Sequence, residues 1–224
     1  MDTSHQQPPA LGLQFFGRIT SATTHELNNI IGIINEHAGL LEDLVMMAAQ
    51  KNAPESGTEQ YAQICQKISA QVHRAKSVIK NLNHFAHSVD NDMAMINPDT
   101  MIDWTVSLSG RMLAQKNIKI IFEPNENDLK IMTRPFEFMN AVYLCLMFAA
   151  DNVQKDNTVC IECRCAKDSP DICVHFSGLL LKDSTCFPDS EDQLLNRLEA
   201  KIKFSDGQLC LIIPETKNRS EISG

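Results

Sequence analysis

The chain has 224 residues, of which 43% are hydrophobic, and a formal net charge of −8 at pH 7. This length can bury one or two cores, and the scattered acidic residues argue against a nucleic-acid partner, which requires clustered Lys and Arg. No run of 18 apolar residues occurs and no basic segment precedes an apolar core near the start, so neither a membrane span nor a signal peptide is predicted, and we expect a cytoplasmic protein.

Two long amphipathic helices are predicted before residue 90. Apolar positions at residues 13–49 step by three and four, which predicts one helix, and the same spacing over residues 58–87 predicts a second. Pro54 and Gly57 mark the break between them. Residues 11–89 should therefore form a helical hairpin. Two helices alone leave half of their apolar stripes uncovered, so we expect two hairpins to pair as a four-helix bundle in a homodimer.

An α+β domain is predicted over residues 95–215. Helices are expected at residues 100–114 and, after Pro135 at a first helical position, at 136–150. Strands are expected at 118–122, 158–166, 171–176, 202–204 and 208–213, with a short helix at 192–200. The predicted fold class is α+β: the hairpin of a dimeric four-helix bundle, followed by an α/β sandwich with helices on one face of a mainly antiparallel sheet.

Eight cysteines occur, and three of them are clustered at Cys160, Cys163 and Cys165. This cluster permits a zinc site, but no second matching Cys-x2-Cys pair is present. Every second position of this segment is apolar or a cysteine, as on the buried face of a strand. These positions are Val159, Ile161, Cys163 and Cys165. Buried structural thiols are therefore favoured over a metal site, and in a cytosolic chain they are expected to be reduced.

His25 is predicted to point away from the apolar stripe of the first helix. At about 100° per residue it lies about 180° from Ile34 and about 140° from Ile30. Most surface histidines are only solvated, so its neighbours decide the interpretation. A polar strip lies on the same side, and its glycine would let another surface approach the backbone closely. The strip contains Asn28, Asn29, Gly32 and Glu36.

The run His25-Glu26-Leu27-Asn28-Asn29 resembles the phosphoacceptor box of two-component sensor histidine kinases. In that family the box lies on the first helix of a dimerisation and histidine-phosphotransfer hairpin, usually with Pro where this chain has Ile30. The hairpin of residues 11–89 resembles this whole domain. The resemblance implies that His25 accepts a phosphoryl group, that Glu26 takes its proton or orients the ring, and that Asn29 orients water. A neutral imidazole can attack phosphorus near pH 7. Ordinary solvation is the alternative for Glu26 and Asn29. The remaining strip residues, Asn28, Gly32 and Glu36, are expected to contact the partner.

The second half resembles the family's ATP-binding domain in element order but lacks its nucleotide residues. The family has two asparagines four residues apart, the second a magnesium ligand, where this chain has Leu144 and Phe148. Magnesium requires oxygen ligands. The family's Asp-x-Gly-x-Gly is replaced by Phe176-Ser177-Gly178-Leu179-Leu180, and residues 184–193 contain no glycine-rich loop. We therefore expect a degenerate domain without cofactor or metal, with Mg²⁺ bound only by the partner receiver domain.

These features predict a histidine phosphotransferase that relays phosphoryl groups between response-regulator receiver domains through phospho-His25, without using ATP. The hairpin begins near residue 11, which is expected to leave no room for a sensor domain or a membrane anchor. One alternative is a histidine autokinase or a response-regulator phosphatase. Another is a non-catalytic dimeric scaffold or inhibitor of two-component signalling. The sequence names neither the receiver partners nor the direction of phosphoryl flow.

Overall fold

The first part of the chain is an antiparallel pair of long helices, α1 (Ala10–Ala49) and α2 (Gly57–His87). The computed structural model describes residues 10–49, 57–124, 129–166, 169, 171–181, 187–188 and 192–215. The antiparallel direction follows from two cross-helix contacts, Tyr61 Oη to the Leu44 carbonyl at 3.1 Å and Arg74 Nη2 to Glu26 Oε1 at 2.9 Å. The predicted hairpin is thus confirmed. Most of its predicted break, residues 52–56, lies outside the described residues.

Within the described residues, the second part contains three helices and seven short strands. They are β1 (Ala94–Ile96), α3 (Pro98–Gln115), β2 (Lys119–Phe122), β3 (Ile131–Thr133), α4 (Pro135–Asp151), β4 (Thr158–Cys165), β5 (Ile172–Ser177), α5 (Asp192–Arg197), β6 (Lys201–Ser205) and β7 (Gln208–Ile213). Helix α3 begins two residues before the predicted start, because the Asn97 side chain accepts a hydrogen bond from the Thr100 amide and Pro98 occupies the first turn.

Five strands form one mixed sheet in the order β2-β4-β5-β7-β6. Strands β2 and β4 are parallel, and the other neighbours are antiparallel. The predicted α+β class with a mainly antiparallel sheet is therefore confirmed. Strands β1 and β3 pair separately and were not predicted, because three residues are too few to show an alternating pattern.

Alternate residues of the sheet point into the hydrophobic core beneath α4. The inward side chains, all buried, are Val159, Ile161, Cys163, Ile172, Val174, Phe176, Leu209, Leu211 and Ile213. Helix α4 buries residues on nearly all sides, as expected for a helix between a sheet and other helices. The intervening residues of the strands form the outer face of the sheet, which carries most of its polar side chains.

An aromatic cluster joins the hairpin to α4. Phe15 of α1 lies 5.2 Å from Phe85 of α2, 5.5 Å from Phe136 and 5.0 Å from Tyr143, measured between ring centroids. His84 also stacks on Trp104 of α3 with centroids 4.1 Å apart. The hairpin and the α+β part therefore share one hydrophobic core. Within the ranges given above, no helix combines the length and apolar character needed to cross a membrane.

Candidate functional site

His25 lies on α1 at the edge of a groove of about 530 Å³ between α1 and α3. Ser21 and Arg18, one and two turns earlier on α1, line the same groove, and Arg111 and Gln115 of α3 form the opposite wall. The His25 side chain is exposed, as the helix phase predicts. One wall of the groove therefore comes from the hairpin and the other from the α+β part.

The groove offers positive charge and an available imidazole. Arg18 is exposed and Arg111 is half-buried, and neither guanidinium forms an ion pair with an acidic residue of the described ranges. No described residue hydrogen-bonds to the His25 ring. Guanidinium groups bind phosphate oxygens through paired N–H donors. Arg111 was not predicted as a site residue, because it lies 86 residues beyond His25 and no local sequence pattern connects the two.

Glu26 is turned toward α2. Its carboxylate accepts the hydrogen bond from Arg74, and its side chain is 17% exposed, against 56% for Arg74. Neighbouring helix residues point about 100° apart, so a side chain beside His25 in sequence can lie on the inner edge of the hairpin. The structure therefore engages Glu26 in a bond across the hairpin and does not bring its carboxylate to the His25 ring.

The predicted partner strip lies open along α1. Asn28, Asn29, Gly32 and Glu36 are all exposed. A Cβ atom added at Gly32 would meet no atom within 4 Å, so the space over this glycine is free for another molecule. The strip continues from the His25 groove toward the C-terminal half of α1, which makes a single continuous polar surface of the kind a docking protein can cover.

An aromatic group fills the position where the resemblance would place a magnesium ligand. The Phe148 ring lies 5.4 Å from that of Phe187 and 5.6 Å from that of Phe204. Nearby Asn152 donates a hydrogen bond of 2.9 Å to the Phe148 carbonyl and so helps to close the end of α4. The Phe148 side chain therefore packs among aromatic rings, and it has no oxygen atom of the kind a hard cation needs.

Gly178, in the segment that replaces the family's glycine motif, is required by the backbone geometry at its position. Its φ is +87°, and a Cβ there would lie 2.3 Å from the Thr158 carbonyl oxygen. Only glycine fits this close approach of two backbones. Most of residues 184–193, where no glycine-rich loop was predicted, lie outside the described residues.

The cysteines are arranged differently from the prediction. Cys145 and Cys163 are buried thiols, and burial raises the pKa of both. Cys165 was predicted on the buried face, but it is the last residue of β4 and is exposed. The described residues contain one group of soft metal-ligating side chains, and it does not include the predicted cluster. It consists of Cys173, His175 and Cys210, on neighbouring strands.

This second group was missed because its members are far apart in sequence. Alternation places Cys173 and His175 on one face of β5, but only the pairing of β5 with β7 adds Cys210. Burial, with a smaller contribution from Cys173, raises the pKa of Cys210 to about 12. Burial, with a smaller contribution from Arg164, lowers the pKa of His175. Within the group, the Cys210 sulfur lies 3.9 Å from His175 Nε2.

Solved structures similar to this chain include histidine kinases and a catalytic domain of one. The catalytic domain of histidine kinase ThkA is 16% identical, with 57% of this chain and 100% of that chain covered and a TM-score of 0.45. Histidine kinase AdeS of Acinetobacter baumannii is 9% identical, with 86% of this chain and 98% of that chain covered and a TM-score of 0.43. Histidine kinase ThkA solved in complex with the response regulator TrrA is 18% identical, with 91% of this chain and 63% of that chain covered and a TM-score of 0.39.

No family model matches the chain, and no curated protein matches it.

Proposed function

We propose that the chain is a histidine phosphotransferase of two-component signalling, in which His25 receives a phosphoryl group from one receiver domain and passes it to another. The observation that carries this proposal is the groove that combines an exposed, unengaged imidazole with two guanidinium groups. The packing of Phe148 against Phe187 and Phe204 supports a phosphate source outside the chain. The expected location of this relay is the cytoplasm.

The chemistry needs only groups that the groove or the partner supplies. A neutral ring nitrogen of His25 attacks phosphorus in the partner's phospho-aspartate, the P–O bond to the carboxylate breaks, and a P–N bond forms. The aspartate carboxylate leaves, and the second ring nitrogen releases its proton to water. Arg18 and Arg111 stabilise the charge that spreads over the transferring oxygens. The return step reverses these bond changes on a second receiver.

The partner is expected to approach along the polar strip. Helix α3 forms one wall beside His25, which leaves the side of α1 carrying Asn28, Gly32 and Glu36 for docking. Mg²⁺ would be held by the receiver, since the residues that line the His25 groove include two arginines and no carboxylate. Asn29 is exposed one turn beyond His25, and its proposed role is to orient water in a secondary phosphatase activity.

The test is incubation of the purified chain with two phosphate donors. A receiver domain carrying a labelled phospho-aspartate should transfer label to the chain, while labelled ATP alone should transfer none. Label acquired from ATP in the absence of a partner would establish an autokinase instead. Normal binding of phosphorylated receivers with no transfer of label would establish a scaffold or inhibitor.

The proposal includes a homodimer joined through one flank of the hairpin. Each helix of the hairpin carries exposed apolar side chains beside its buried stripe. At about 100° per residue, Ile31 and Val45 are rotated about the axis of α1 by about 60–100° from its buried stripe. Val72 and Ile79 are rotated by about 60–80° from the buried stripe of α2. The displacement has the same rotational sense in both helices, and in an antiparallel pair this places all four side chains on one flank. All four are exposed. A second copy of the same flank would cover them.

We expect the Ile31→Glu, Ile79→Glu double variant to be monomeric, because it places four carboxylates in the apolar interface of a dimer. Ile31 is 53% exposed and Ile79 is 47% exposed within one chain, so the fold of the monomer should persist. Light scattering coupled to size exclusion measures the change. Gln66→Glu, an exposed position of α2, is the matched control and should remain dimeric. A wild-type chain that is monomeric at all concentrations would contradict the proposed dimer.

A further inference from the structure

Three metal-ligating side chains meet on the outer face of the sheet, away from the His25 groove. The sulfur atoms of Cys173 and Cys210 and a ring nitrogen of His175 all lie within 4.8 Å of one another. Cys173 and His175 are half-buried, and Cys210 is 9% exposed. The relay chemistry proposed for His25 uses none of these residues.

The strand register holds the group together. His175 of β5 lies directly opposite Cys210 of β7, and Cys173 lies two residues earlier on β5, on the same face. The three ligands thus come from two adjacent inner strands of a hydrogen-bonded sheet. Side chains on such a scaffold have little freedom to separate, so their convergence is a property of the fold.

We propose that Cys173, His175 and Cys210 form a binding site for a single Zn²⁺ ion. Two thiolates and an imidazole are a ligand set that zinc takes with bond lengths of about 2.0–2.3 Å. A tetrahedral ion with these bonds requires ligand atoms about 3.5–3.8 Å apart, so closure from the observed separations needs a movement of about 1 Å. The two thiols release their protons as the ion binds, and the site carries no net charge once filled.

The surrounding side chains suit this ion. Glu162 lies opposite His175 on β4, and Lys203 lies opposite Cys210 on β6. A lysine beside a thiolate lowers the cost of deprotonation. The fourth position of the tetrahedron is open to water or to the Glu162 carboxylate, which now pairs with Arg164.

The register disfavours a disulfide as the reason for the two close sulfurs. Cys173 is paired with Ile212, not with Cys210, so the two cysteines are diagonal neighbours. Diagonal positions on adjacent strands have Cα atoms about 7–8 Å apart, whereas disulfides usually span about 4.4–6.8 Å. A bound ion bridges the longer separation, because it adds two metal–sulfur bonds between the thiolates.

The test is metal titration of the reduced, full-length chain. Competition with a chromophoric chelator should show one equivalent of Zn²⁺ per chain, and Co²⁺ should give the near-ultraviolet thiolate-to-cobalt band. Cys173→Ser and Cys210→Ser should each lower the affinity by more than about 100-fold, above the loss typical of groups that only support a ligand, and His175→Gln should also lower it. Circular dichroism of each variant checks that the sheet is retained.

Cys160→Ser is the matched control. Cys160 is half-buried on the same face of the sheet but outside the group, and its replacement should leave the affinity unchanged. Absence of the cobalt band, equal affinity in Cys173→Ser, or a Cys173–Cys210 disulfide found by mass spectrometry of the unreduced chain would each overturn the proposal. Phosphoryl transfer to His25 is measured separately, so the two proposals fail independently.

Discussion

His25→Gln is expected to abolish phosphoryl transfer from a phosphorylated receiver domain. Glutamine keeps a polar side chain of similar reach but has no nitrogen lone pair able to attack phosphorus, because the amide nitrogen is conjugated with its carbonyl. The side chain at this position is exposed, so its replacement leaves no cavity and no unpaired buried group. The labelled receiver assay should therefore show complete loss of label on the chain, with unchanged circular dichroism and melting temperature.

His73→Gln provides the control for this result. His73 is an exposed histidine of α2, and it does not line the groove between α1 and α3. Its replacement should leave the amount of transferred label at the wild-type level. Label retained in His25→Gln, or lost equally in both variants, would remove His25 from the role of acceptor.

Phe85→Ala is expected to lower the free energy of unfolding by about 3–5 kcal/mol, the range for truncation of a fully buried phenylalanine. The Phe85 ring is 0% exposed and contacts the rings of Phe15, Phe16 and Phe136. Truncation leaves a cavity at the junction between the hairpin and α4. Urea unfolding monitored by circular dichroism measures the change as a shift of the midpoint.

Phe16→Ala is the matched control for the cluster. Phe16 stacks on Phe85 with ring centroids 5.3 Å apart, but it is 37% exposed. Less apolar surface is lost and solvent fills the space, so the destabilisation should be less than half of that for Phe85→Ala. Equal losses in the two variants would contradict the central position of Phe85 in the junction.

The fold was largely predictable because its long helices carry strong periodic signals. The apolar spacing placed α1, α2 and α4 within a few residues, since a stripe of many turns averages out local exceptions. Strands β1 and β3 were missed because their three residues form a pattern only through pairing with each other. The docking of the hairpin through Phe15 and Phe85 was also not predictable, because aromatic side chains on a helix do not specify the surface they will contact.

The candidate site was predictable only where its residues are close in sequence. Helix phase gave the exposure of His25 and of the polar strip on α1. Arg111 depends on the packing of α3 against α1, and the group formed by Cys173, His175 and Cys210 depends on the strand order. The hydrogen bond from Arg74 to Glu26 could not be predicted either, because it depends on the packing of α2 against α1. Contacts between distant segments are set by the whole fold and leave no local pattern.

The shared core of the hairpin and α4 determines where inactivating substitutions should be found. The position of the Arg111 wall beside His25 depends on α3, and α3 is held by residues of the hairpin and of α4. A defect in Tyr143 or Phe138 would therefore displace one side of the groove without touching the imidazole. Random mutagenesis scored for relay function should accordingly yield inactive variants scattered over both halves of the sequence, not a cluster around residue 25.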